Sequence, residues 1–208
     1  MKTIVLLVRH GQTKSNVFGF YMGRSDEDLD DTGYAQARRL ASRLASQPIT
    51  TVYTSPLKRA YTTAAIIAEP HDLELTTLDG ANEIDLGDWQ GLHMDEVRQK
   101  WPDTWNQSRI DPSGITMPHG ESFSQVAVRA VRTFDSLVAS KSGTFVIVTH
   151  DINIRIIVAH VLGVSNSIYR RLEINNASLS VIRVTDGKRV LLALNDTSHL
   201  GGWNGTLI

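Results

Sequence analysis

The chain has 208 residues, a formal net charge of −1 and no cysteine. That length can bury a full core, most simply as one α/β domain spanning residues 1–208. Near-neutrality excludes a global field towards nucleic acid or anionic lipid. The absence of cysteine excludes disulfides, thiolate nucleophiles and cysteine-ligated metals.

In chain order, Ile4-Val5-Leu6-Leu7-Val8 is a continuous apolar run, the pattern of a strand buried on both faces of a sheet. It is too short for a signal-peptide core, Arg9-His10 interrupts it, and no small-residue cleavage site follows. No segment reaches the length of a membrane span. A cytoplasmic protein is expected. The strand ends in Arg9-His10-Gly11-Gln12-Thr13, at the carboxyl edge where open α/β sheets bind ligands. Gly11 permits a sharp turn and close backbone approach. Thr13 and Asn16 add hydroxyl and amide donors one turn on. Such a site suits an anion with several oxygens, phosphate above all.

The run Asp26-Glu27-Asp28-Leu29-Asp30-Asp31-Thr32 lacks the glycine and terminal glutamate of a calcium loop. Asp30, Asp31 and Thr32 are expected to cap the next helix and complement its dipole. That helix shows Tyr34, Ala37, Leu40, Ala41 and Leu44 on one face and ends near Pro48. Thr51–Thr54 reads as a second strand, and Ser55-Pro56 as a serine cap with proline at the first helical position. Arg59 then falls in the first turn, at the same sheet edge as His10.

Residues 78–120 hold Trp89, Trp101 and Trp105, with short helices expected near Met94–Trp101 and Trp105–Ile110. A long, loop-rich aromatic segment of this kind is expected to pack onto the sheet and roof the site. Ser122 with Gln125 forms a capping box opening a helix with Phe123, Val126, Ala127, Ala130, Val131, Phe134 and Leu137 on its buried face. Thr144–Thr149 is a second strongly buried strand, delivering His150 as the first delivers His10. A helix over Ile152–Leu162 stops at Gly163. Leu179–Val184 and Val190–Leu194 pair as a hairpin across Asp186-Gly187, and Trp203 in the tail is expected to cover part of the surface.

Four segments, Leu7 to Thr13, Ser55-Pro56-Leu57-Lys58-Arg59-Ala60, Glu83 to Gly91 and Val148-Thr149-His150-Asp151, together resemble the histidine phosphatase superfamily. They stand in the family's order and spacing. The resemblance implies a three-layer α/β/α sandwich with a mostly parallel central sheet, the phosphoglycerate mutase-like fold.

A neutral imidazole is a competent phosphoryl acceptor without a metal, and the resemblance assigns the phosphohistidine to His10. Arg9 and Arg59 offer guanidinium forks to phosphate oxygens, and His150 a further donor contact. Gly11, Gln12, Thr13, Asn16, Gly23 and Asp151 complete the expected phosphate pocket, through backbone N–H groups after Gly11. Spacing alone leaves Glu83, Asp85 and Asp88 as rival proton donors; the family's Glu-Ile-Asp-x-Gly-x-Trp pattern selects Glu83. A metal site built from His10, His150 and Glu83 is the rival chemistry, opposed by the two arginines. His93 and His119 stand in or beside the roof, within possible reach of substrate.

The expected function is metal-independent hydrolysis of a small phosphorylated metabolite by a monomer or homodimer, without cofactor, nucleic acid or membrane. Cofactor-dependent phosphoglycerate mutases carry Arg-His-Gly-Glu-Ser-x-Trp-Asn and longer insertions where this chain has Gln12-Thr13-Lys14-Ser15-Asn16. That departure favours hydrolysis over the mutase alternative, and retention of all five central residues opposes a non-catalytic phosphate sensor. Family members directed at phosphoserine carry a histidine where Leu86 stands, which leaves the physiological ester open.

Overall fold

An uninterrupted apolar strand needs cover on both sides, and the structure supplies it. The computed structural model describes residues 2–201; Trp203 lies outside the described residues. The elements begin β1 (Lys2–Arg9), α1 (Lys14–Phe18), β2 (Phe20–Tyr21), α2 (Asp31–Leu44), β3 (Ile49–Thr54), α3 (Lys58–Ala68) and β4 (Leu75–Thr77). They continue β5 (Leu92–His93), α4 (Met94–Lys100), α5 (Pro102–Ile110), α6 (Phe123–Ser140), β6 (Gly143–Thr149), α7 (Asp151–Leu162), β7 (Leu179–Thr185) and β8 (Lys188–Asp196).

The central sheet has the order β4-β3-β6-β1-β7-β8. β4, β3, β6 and β1 run parallel, and β7 and β8 add an antiparallel edge. Alternation along β1 sends Val5 and Leu7 into one apolar cluster and Leu6 and Val8 into the other. β6 divides in the same way, Phe145 and Ile147 against Val146 and Val148. One cluster is closed by Leu40, Ala41 and Leu44 of α2 with Ala60, Ala64 and Ile67 of α3. The other is closed by Val126, Ala130 and Phe134 of α6 and Ile154 and Ile157 of α7. The result is the expected α/β architecture, a mostly parallel sheet between helical layers. Among the described residues no helix is long and apolar enough to cross a membrane.

The 78–120 segment packs as the tryptophans require. Trp89 is fully buried in the α6–α7 cluster, with Trp101 and Trp105 partly buried against it. α5 begins at Pro102, earlier than periodicity indicated, because proline is favoured at the first helical position. The pairing of β2 with β5 ties the loop after β1 to this segment; two-residue strands leave no readable period. Ser122 and Gln125 make both hydrogen bonds of the capping box, a cap worth about 1 kcal/mol.

α3 departs from expectation. Ser55 does not cap it; the helix starts at Lys58. Its free N–H groups are met by the acidic run instead, Lys58 N donating to Asp26 Oδ1 (2.8 Å) and Arg59 N to the Glu27 carbonyl (3.1 Å). At α2, Asp30 is the cap, accepting from Gly33 N at 2.8 Å.

Gly33 marks the tightest approach of this layer to the β1 end. A Cβ there would lie 2.1 Å from the Gln12 carbonyl oxygen, and one on Gly11 would lie 2.7 Å from that of Gly33. Both obstacles are backbone, so neither can swing aside. Gly33→Ala is therefore expected to destabilise the protein by about 1–3 kcal/mol or more, the range for forced overpacking. Gly114→Ala, whose Cβ meets nothing within 4 Å, should leave stability nearly unchanged. Urea midpoints measure both; equal midpoints for the two variants would refute the packing argument.

Candidate functional site

β1 and β6 pair with Arg9 opposite Thr149. The next residue of each strand is a histidine, so His10 and His150 leave the same sheet edge side by side, ring centroids 5.1 Å apart. Both are buried. His10 Nδ1 lies 2.7 Å from the Gly11 carbonyl oxygen. A carbonyl only accepts, so this contact puts the proton on Nδ1 and leaves a lone pair on Nε2. Burial, then Arg59 and Arg9, holds the His10 pKa well below the ordinary histidine value. Burial, Arg59, His10 and Arg9 do the same for His150. Both rings are neutral at pH 7 in the unliganded site.

Among the described residues Arg9 and Arg59 form no ion pair with a carboxylate; backbone carbonyls hold them, with Glu83, Glu27 and Asp26 acting on Arg59 at longer range. Arg9 Nη1 donates to Ile174 O (2.6 Å). Arg59 Nη1 and Nη2 donate to Ser25 O (3.0 Å) and Gly23 O (2.7 Å). Gly23 has φ +49°, and a Cβ there would lie 2.6 Å from Gln90 Oε1 and 3.0 Å from the Ile84 carbonyl, so this carbonyl anchor of Arg59 suits glycine. Glu83 accepts from its neighbour Ile84 N at 2.9 Å. Burial raises its pKa, and Asp151 adds to the rise, against the Ile84 N–H and the Arg59 and Arg9 charges.

Arg9, His10, Thr13, Asn16, Gly23, Arg59, Glu83 and Asp151 line one cavity of about 290 Å³. Asn16 Oδ1 is used by Thr13 N (3.1 Å) and Asn176 Nδ2 (3.0 Å), which leaves its own amide nitrogen as a donor. Asp151 is paired with Arg155 at 2.9 Å and accepts from Tyr169 Oη. Three expected contributors stand apart. Gly11, Gln12 and His150 do not line the cavity, His150 lying fully buried behind His10. The backbone donors after His10 are already engaged, Gly11 N with Thr63 Oγ1 (3.0 Å), Gln12 N with Gln36 Oε1 (2.9 Å) and Thr13 N with Asn16. The backbone cradle expected after Gly11 is therefore corrected: the turn is stapled to α2 and α3. His93 and His119 also lie off the cavity wall, His93 capping α4 and His119 bonded to Asp88.

Sequence reasoning missed the support of Glu83. Arg129 of α6 donates to the carbonyls of Gly80, Asn82 and Glu83 and pairs twice with Glu121 at 3.0 Å. Asn153 and Thr149 hold the carbonyl of Ala81. It also missed the far wall, where Leu86, Trp89, Arg109, Met117, Tyr169 and Arg170 line the cavity. The 78–120 segment thus supplies part of the enclosure. Among the described residues no group of three histidine or acidic side chains is arranged to hold a metal ion.

The comparisons agree with this geometry. Phosphoserine phosphatase 1 of Hydrogenobacter thermophilus is 37% identical over 199 residues, covering 95% of this chain and 94% of that protein. Metal-independent phosphoserine phosphatase of Arabidopsis thaliana is 33% identical over 213 residues, covering 95% and 83% of the two chains. The solved structure of Bacillus stearothermophilus YhfR matches with a TM-score of 0.91 at 30% identity, over 95% of this chain and 99% of that one. The family model for the histidine phosphatase superfamily (branch 1) matches residues 5–197. The chain belongs to that superfamily.

Proposed function

We propose that this phosphatase hydrolyses a small phosphomonoester through a phosphoryl group carried on Nε2 of His10, without a metal ion. The observation that carries the reading is the His10–Gly11 contact, which leaves the Nε2 lone pair among two arginines unpaired with carboxylate. The lone pair attacks phosphorus as the ester P–O bond breaks, and the departing oxygen takes the Glu83 proton. Arg9, Arg59 and His150 meet the charge spread over the equatorial oxygens. Glu83, now ionised, then takes a proton from water, whose oxygen attacks the phosphohistidine and restores His10. Asn16 donates to the bound phosphate. Phosphoserine, the substrate in the names of both curated relatives, belongs in the first substrate panel with phosphoglycerate and simple alkyl phosphates.

A phosphoryl-imidazole survives base and not acid. Turnover of labelled ester, quenched in base, should leave label on the protein, and His10→Ala should abolish it; label on that variant would refute the assignment. With Arg9 and Arg59 supplying the positive field, EDTA should leave the rate nearly intact and vanadate should inhibit. Activity lost in EDTA and restored by a divalent metal would overturn this part.

Glu83 gives a test in pH. Its raised pKa means the protonated acid persists above the ordinary carboxyl range and is lost as pH rises through the folded value. An alkyl phosphate, whose alkoxide needs that proton, should lose kcat/KM along this limb, whereas p-nitrophenyl phosphate should not. Glu83→Gln should flatten the limb and cost the alkyl ester about one to two orders of magnitude more than the nitrophenyl ester. Equal losses on the two esters would assign Glu83 to positioning.

A further inference from the structure

The mechanism leaves one buried hydroxyl at the site unused. Ser55 follows β3 as His150 follows β6, and these strands pair in parallel with Thr54 opposite Val148. Ser55 is fully buried, and its Oγ lies 2.8 Å from His150 Nε2 and 3.1 Å from Asn82 Oδ1. Leu57 N approaches the same oxygen at 3.4 Å. The other ring nitrogen of His150, Nδ1, is buried and has no partner among the described residues. An unpartnered buried polar atom beside a catalytic ring is the natural place for a substrate contact.

Proton counting makes this arrangement restrictive. A hydroxyl has one proton to donate. With the Asn82 oxygen facing Ser55, that proton goes to Asn82, so Nε2 of His150 must donate to Ser55 and Nδ1 is a bare lone pair. A bare lone pair repels a phosphoryl oxygen. With the Asn82 amide turned over, which exchanges oxygen and nitrogen within the same outline, Asn82 donates to Ser55 and Ser55 donates to Nε2. The His150 proton then sits on Nδ1, where it can meet an acceptor.

Resting on the phosphoryl-transfer reading above, we propose that Ser55 is a positioning residue. Together with Asn82 it fixes neutral His150 as the Nδ1–H tautomer, and that N–H donates to the transferred phosphoryl group. Asn82 is the residue before Glu83, and its carbonyl is held by Arg129 and Asn153. One loop therefore sets both the acid and, through Ser55, the tautomer of the second histidine.

The test joins a spectroscopic and a kinetic readout on the full chain. Ring ¹⁵N shifts distinguish the two neutral tautomers and the imidazolium, and the His150 signals are assigned by their loss in His150→Asn. With inorganic phosphate bound, the parent should show neutral His150 protonated on Nδ1. Asn82→Asp can only accept from Ser55, so it should move the proton to Nε2 and lower kcat on p-nitrophenyl phosphate by about tenfold or more, as loss of an orienting partner does elsewhere. Asn82→Ala leaves the Ser55 hydroxyl free to turn to His150 and should retain more activity than Asn82→Asp. Ser55→Ala should lose the Nδ1–H preference, and Ser55→Thr should restore it. An Nε2–H or doubly protonated ring in the phosphate-bound parent would overturn the proposal, as would Asn82→Asp matching Asn82→Ala in both readouts. The tautomer measurement needs no turnover. A parent inactive on every phosphomonoester would strike the phosphoryl-transfer reading, whereas an active parent with the wrong tautomer would strike this proposal alone.

Discussion

The register between β1 and β6 is the constraint on which the rest depends. Arg9 stands opposite Thr149, and each strand then delivers a histidine at one edge. Side chains on a strand alternate, so a slip of one residue would turn the wrong face of every side chain inward. What fixes the register is the core itself. Val5 and Leu7 are taken up by the α6–α7 cluster, and Leu6 and Val8 by the α2–α3 cluster. Burying one β-branched or leucine side chain is worth about 1.5–3 kcal/mol, so a slipped strand would gain no compensating contact. Hydrophobic packing selects the register, the backbone ladder holds it, with His10 N donating to Thr149 O at 3.1 Å, and the two imidazoles come to lie 5.1 Å apart.

The electrostatics of the edge follow from how its cations are held. Arg9 and Arg59 are fixed by the carbonyls of Ile174, Ser25 and Gly23. Carbonyl dipoles orient a guanidinium without neutralising it, so both charges stay available to an anion. The same charges oppose protonation of His10 and His150. Burial acts in opposite senses on the two residue types, lowering the imidazole pKa values and raising that of Glu83. One buried, positively charged edge therefore favours neutral imidazoles and shifts Glu83 towards its protonated form, the direction the proposed reaction needs. The Arg129–Glu121 pair braces the loop carrying Glu83.

Much of this was legible in the sequence where the signal is local. The buried strands ending in Arg9-His10 and His150, the apolar faces of α2 and α6, and the Ser122–Gln125 cap depend on spacings within one element. The errors arise where a partner distant in sequence competes. Ser55-Pro56 has the form of a helix start, yet the Ser55 hydroxyl faces His150 and the helix takes its caps from Asp26 and Glu27. The N–H groups after Gly11 resemble a phosphate cradle, yet Thr63 and Gln36 occupy those of Gly11 and Gln12. Arg129 gives no sign in the sequence that its guanidinium reaches the carbonyls of residues 80, 82 and 83.

The choice among Glu83, Asp85 and Asp88 shows why such distant partners decide function. The three carboxylates lie within six residues, and spacing cannot rank them. In the structure Asp85 accepts from Gly87 N, closing its own turn, while Asp88 is bonded to His119 on the outer surface. Neither lines the cavity. Glu83 does, and its carbonyl is gripped by Arg24 at 3.2 Å and Arg129 at 2.9 Å. With the carbonyl so held, the side chain is left to the cavity, in contact with the N–H of Ile84. A general acid must be a carboxyl that reaches the cavity and is not held in an ion pair. Here the cations claim the Glu83 backbone, and its carboxyl group stays on the cavity wall, where the proposed reaction needs it.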